Sequence, residues 1–151
     1  MLGLPPSSSW RVIKFAQGKE YGITPSHGDA AGSGTRRLYD LDNVCEIGLA
    51  LRLLETGLRS KAIGKVIRQL QRASKLSKQL ELPVEKFTSL FVVILRHPKT
   101  GRPLDEKREQ ISRFAWTLRE AESMRQERPN WDFILVPVGP LFLQIRERIE
   151  R

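Results

Sequence analysis

The sequence predicts a mainly helical α+β chain, with helices through residue 80 and a small α/β unit over 81–151. Three observations predict it. From Asp42 to Gly57, and again from Ser60 to Leu80, apolar residues recur every three or four positions, the period of a helix with one buried face. Beyond Pro83, two apolar runs of strand length alternate with two helical stretches. Ahead of both, a glycine-rich loop leads into a short basic strand ending at Tyr39.

Taken in order, residues 1–9 hold Pro5, Pro6 and three serines, a turn feeding a helix over 10–19 that Ser7, Ser8 or Ser9 caps. Val12, Ile13, Phe15 and Ala16 supply its apolar face, and Arg11, Lys14 and Lys19 a basic one. Residues 22–34 contain four glycines, Pro25, two serines and Asp29, the composition of an exposed loop. Arg36 to Tyr39 then read as a short strand. Asp42 is the expected N-cap of the next helix, whose buried face carries Val44, Ile47, Leu51 and Leu54. Gly57 stops it in a left-handed position that Leu58 closes. Ser60 caps a second helix running to about residue 80, with Ile63, Val66, Leu70, Ala73 and Leu80 on one stripe. Lys61, Lys65, Arg68, Arg72 and Lys75 lie about 200° round from it. No acid occurs between Arg59 and Leu80, and Pro83 ends the helix.

The remainder has another texture. Residues 90–95 (Leu-Phe-Val-Val-Ile-Leu) form a continuous apolar run, as expected of a strand buried on both faces. Pro98-Lys99-Thr100-Gly101 signals a turn. A helix is expected over 105–128 with Ile111, Phe114, Ala115 and Leu118 on its buried face, then a strand over 131–138. Pro140 starts a last helix through Leu143, Ile145 and Ile149. That order implies two parallel strands joined by a helical crossover.

Composition narrows the function classes. The chain has 151 residues, 40% of them apolar and 28% charged, enough for one good core or two small ones. No apolar run approaches the roughly 18 residues that span a bilayer, and the N-terminus lacks the basic-then-apolar order of a signal peptide, so a cytoplasmic protein is expected. The net charge of +9 is concentrated: residues 41–80 carry eight Lys/Arg against three acids, whereas 1–40 and 81–151 are each only +2. Such a patch favours encounter with a polyanion and supplies the salt-sensitive part of nucleic-acid affinity.

Catalytic and metal chemistry find little support. His27 and His97 stand alone, without a carboxylate or cysteine at ligand spacing, so neither a metal nor another cofactor is expected. The single cysteine, Cys45, rules out an internal disulfide and reads as a core residue. Gly28-Asp29-Ala30-Ala31-Gly32-Ser33-Gly34-Thr35 lacks the lysine and the preceding strand of a phosphate-binding loop. Asp105, Glu106 and Glu109 are acids that a helix N-terminus favours on electrostatic grounds alone. No nucleophile–base pair stands at a recognisable spacing, and a non-enzymatic protein is expected.

From Tyr21 onward the chain resembles the MerR family of bacterial transcription regulators. Gly34, Arg36 or Arg37, Leu38 and Tyr39 match the end of the family's wing. Asp42, Val44, Ile47, Leu51, Leu54, Gly57 and Ile63 match the two helices that follow, and Pro25 and Ser26 resemble the turn after the first wing strand. The likeness covers about fifty residues. Residues 2–11 resemble the turn and the start of the recognition helix; the family's first helix has no counterpart ahead of them, which predicts either a start upstream or a shortened motif.

The resemblance implies a winged helix-turn-helix over 1–80 and a dimerisation or effector unit over 81–151. It implies a regulator that binds double-stranded DNA as a homodimer and has RNA polymerase as a further partner. By length, the 105–128 helix is the expected dimerisation element. Ser8, Arg11 and Lys14 would face the groove, and Arg36 and Arg37 would meet phosphate or the minor groove. Tyr39 would donate to a phosphate or pack on the platform, and Lys61 and Lys65 would extend the basic surface. The other reading is a protein-interaction adaptor that has lost specific DNA recognition.

Overall fold

A computed structural model of the chain describes residues 21–25, 39–79, 90–96 and 112–149. Helix α1 spans Leu41–Glu55. Asp40, not Asp42, is its N-cap: Asp40 is extended (φ −82°, ψ 179°) and its carboxylate accepts from the Asn43 N–H at 2.9 Å. A cap residue has to stand outside the helix so that its side chain can turn back onto a free N–H. Asp42 is already helical and instead sits in the first turn, where a negative charge suits the helix dipole. At the other end the Thr56 hydroxyl donates to the Leu53 carbonyl at 2.6 Å, and the Gly57 N–H to the Leu54 carbonyl at 2.9 Å. Gly57 takes φ +83°, which a side chain would strain, and Leu58 after it is buried.

Helix α2 spans Ser60–Gln79. Ala62, Ile63, Val66, Ile67 and Leu70 are buried along it. Residues 21–25 lie against this helix. The Tyr21 and Ser60 hydroxyls are 2.9 Å apart, and the Gln71 amide donates to the Gly22 carbonyl at 3.1 Å. Gly22 has φ +70°, which is what requires glycine at this turn; the Arg68 side chain lies in ordinary contact, 3.4 Å from where a Cβ would stand.

The strands are β1 (Phe91–Arg96), β2 (Ser112–Ala115) and β3 (Asp132–Pro137), in the order β2-β1-β3 with both pairings antiparallel. Two expectations are corrected here. Part of the expected 105–128 helix is strand: residues 112–115 pair with β1, with Val92 opposite Phe114 and Phe91 opposite Ala115, and helix α3 covers only Leu118–Gln126. The two apolar runs are also antiparallel neighbours, with Ile94 opposite Ile134. Because β1 is antiparallel to both partners, β2 and β3 run the same way. The helical crossover joins those two, around the central strand rather than between adjacent ones.

Strand β1 is buried on both faces, as its continuous apolar run implies. Val92, Ile94, Val136 and the partly buried Phe114 and Ile134 face the large core of α1, α2 and α4 (Val138–Ile149). Val93, Ala115, Phe91, Phe133 and Leu135 face the other way, against Ala121 and Met124 of α3. That helix is capped by Thr117, which accepts from the Glu120 N–H at 3.1 Å, while the Glu120 carboxylate reaches back to the Trp116 N–H at 2.7 Å, a variant of the capping box. Leu118, expected on a buried face, is 59% exposed because it opens this helix instead of lying mid-way along a longer one.

Helix α4 follows β3 without a loop, and the Val138 and Gly139 N–H groups share the Leu90 carbonyl at 2.8 and 3.3 Å. It packs on α1, where a Cβ on Gly48 would come within 2.5 Å of Ile145 Cδ1. Helix α1 is thus held between α2 and α4. Leu49, Ala50 and Leu53 are fully buried beside the expected Ile47 and Leu51, each large apolar side chain contributing about 1.5–3 kcal/mol by leaving water.

Candidate nucleic-acid interface and an adjoining polar cleft

Two surfaces bear chemistry, and α2 borders both. Its outward face carries Lys61, Lys65, Arg68, Arg72 and Lys75, every one of them exposed. At 100° per residue these five fall within about 80° of one another, and the buried row of Ile63, Val66 and Leu70 lies opposite. With a rise of 1.5 Å per residue the stripe is about 21 Å long. That matches roughly six base pairs of duplex at 3.4 Å each. No acid interrupts it.

The expected contact residues divide as follows. Lys61 and Lys65 are exposed on this stripe. Tyr39 is half-buried and packs against the main core, so the platform role holds its ring. Ser8, Arg11, Lys14, Arg36 and Arg37 lie outside the described residues. Arg68, Arg72 and Lys75 complete the stripe. Arg68 also lays its alkyl stem against the backbone turn at Gly22, which limits where its guanidinium can swing.

Sequence reasoning missed the second surface. Where the N-terminus of α1 meets the latter half of α2, a cleft of about 530 Å³ opens between Asp40, Asp42, Asn43 and Glu46 on one side and Gln71, Ser74 and Lys75 on the other. Glu46 and Asn43 are each 8% exposed. Among the described residues no donor reaches two buried oxygens, Glu46 Oε2 and Asn43 Oδ1. Burial raises the Glu46 carboxyl above its ordinary range; hydrogen bonds from the Gln71 and Asn43 amides pull it down, and the Asp42 and Asp40 charges push it up. A legible signal existed. Asp42, Asn43 and Glu46 stand at i, i+1 and i+4, on one side of a helix whose neighbouring positions are buried.

Cys45 packs in the core, as expected, with its thiol pushed up to about 11, chiefly by burial and next by Asp42, against an opposing influence from Arg146. A thiol so placed is a poor nucleophile at neutral pH. Among the described residues no three His, Cys, Asp or Glu side chains converge as a metal site, and no helix is long and apolar enough to cross a membrane. Set against models of protein families, curated proteins and solved structures, the chain matches none of them.

Proposed function

We propose that this protein binds double-stranded DNA and acts as a non-enzymatic transcription regulator of the MerR kind, working as a homodimer with RNA polymerase as a further partner. The observation that carries the reading is the outward face of α2: five exposed cations in one acid-free row, backed by a continuous apolar row that fixes the helix to the core. Each phosphate such a row neutralises releases counterions, and this drives sequence-independent affinity. The capped pair α1–α2, with Gly57 between them at positive φ, supports the family resemblance and gives the row a rigid platform. Tyr39 packs at the edge of that platform, next to Arg36 and Arg37 in the chain.

The test is fluorescence anisotropy on random duplex DNA at 50 and 200 mM salt. The chain is compared with Lys65→Ala/Arg68→Ala/Arg72→Ala and with Arg36→Ala/Arg37→Ala. Loss of three phosphate contacts is expected to flatten the log–log salt slope by roughly 2.7. Unchanged affinity and slope in both variants would remove the DNA reading. An adaptor that has lost DNA recognition would then account for the basic row, with an acidic protein surface as its partner.

A further inference from the structure

The cleft between α1 and α2 has properties that the basic row does not use. In a chain of net charge +9 it collects three carboxyls against one lysine. Its inner wall holds two buried acceptor oxygens, Glu46 Oε2 and Asn43 Oδ1, without donors. Buried acceptors are nearly always satisfied in folded proteins, so two of them on the lining of one cleft can take a donor that enters it. Before three carboxyls, a donor is favoured when it carries positive charge and several hydrogens. Guanidinium and ammonium groups meet that description. A metal ion does not fit, since the described carboxylates fail to converge on one point. The cleft is open to solvent and, at about 530 Å³, admits a small ligand without enclosing it.

We propose that this cleft binds a small organic cation, whose guanidinium or ammonium group docks against Glu46 and Asn43 with Asp42 and Asp40 supplying the surrounding negative field. Asp40 keeps one oxygen on the Asn43 N–H, so ligand binding and the start of α1 share a residue. Lys75 belongs both to the cleft rim and to the basic row, which orients the cation inward, away from the lysine. The site stands on these contacts whether or not the chain binds DNA.

The experiment is isothermal titration calorimetry of the full chain with agmatine, repeated with magnesium chloride and with a blocked Gly-Arg-Gly peptide, and followed by NMR of the Asn43 and Gln71 side-chain amides. One saturable site for agmatine is expected, with both amide signals shifting. Glu46→Gln should weaken it at least about tenfold, the loss of one charge-assisted contact. Asp42→Asn, on the exposed side of α1, should weaken it a few-fold and guards against misreading a folding defect. The proposal is overturned by the absence of saturable binding up to about 10 mM. It is equally overturned by agmatine affinity unchanged in Glu46→Gln, by magnesium competing equally, or by the peptide binding where agmatine does not.

Discussion

Glu46→Gln replaces a buried carboxyl with an amide of the same shape, and its effect on stability follows from the two orphaned oxygens. Among the described residues neither Glu46 Oε2 nor Asn43 Oδ1 meets a donor. Each buried acceptor left in that state costs about 1–3 kcal/mol. Glutamine replaces one orphaned acceptor with an N–H donor. It keeps a carbonyl oxygen as an acceptor for the Gln71 and Asn43 amides, the neighbours that pull the Glu46 carboxyl down. Taking the lower end of the range, because rearrangement recovers part of the penalty in either chain, the variant should gain ~1–2 kcal/mol at neutral pH. In a chain of this size that corresponds to about 2–8 °C in Tm.

The pH dependence sharpens the test. The folded Glu46 pKa is raised above the ordinary 4.5, so the folded state holds the proton more firmly than the unfolded one. Its contribution is therefore fully present below 4.5 and is lost as pH rises through the folded value. Asp40 and Asp42 face this carboxyl alongside Lys75, and glutamine leaves all three in place. Urea melts from pH 4 to 8 should show the two chains converging at the acid end and separating as pH rises. A variant less stable at pH 7, or one with the parent's pH slope, would refute the account of the orphaned pair.

Two further outcomes are expected. Gly48→Ala should cost at most about 1 kcal/mol, because the new methyl lands 2.5 Å from Ile145 Cδ1, the movable end of that side chain, and alanine's better helix propensity offsets part of the clash. Adding Ile145→Val, which deletes that atom, should recover part of the loss in a double-mutant cycle by thermal melts. Cys45 should resist a thiol-specific disulfide reagent at pH 8 in the folded chain and react fully in denaturant. With the thiol near 11 when folded and 9.0 when free, its stabilising contribution is present below pH 9 and fades as pH rises through 11, and Cys45→Ala should flatten that decline.

Much of the helical half was legible because its signals are local. A glycine stop, a capping acid and a 3.6-residue period are all written within one or two turns, and they placed α1, α2 and the basic row. The error between Asp40 and Asp42 came from two acids both adjacent to the helix start, where only backbone geometry decides. The strand at 112–115 was hidden for a different reason. Ile111, Phe114, Ala115 and Leu118 fit a helical stripe, and the four-residue strand is defined by pairing with β1, far away in sequence. The single-stripe reading of α1 missed Leu49 and Leu53 because it did not foresee a helix enclosed by two others. The cleft was legible on one side only: the spacing of Asp42, Asn43 and Glu46 is written in α1, but its other wall, Gln71 and Ser74, comes from another helix.

The placement of β1 sets an order on biosynthesis. It emerges first of the three strands, yet it is the central one, and Ile94 must wait for Ile134 to be made before its second edge is covered. A ribosome that stalls, or a protease that cuts, between β2 and β3 leaves Phe-Val-Val-Ile-Leu with a row of unpaired N–H and C=O groups beside bare apolar faces. Such a segment adds strands from other chains as readily as its own. For this protein, quality control of the segment from Asp132 onward is quality control of aggregation.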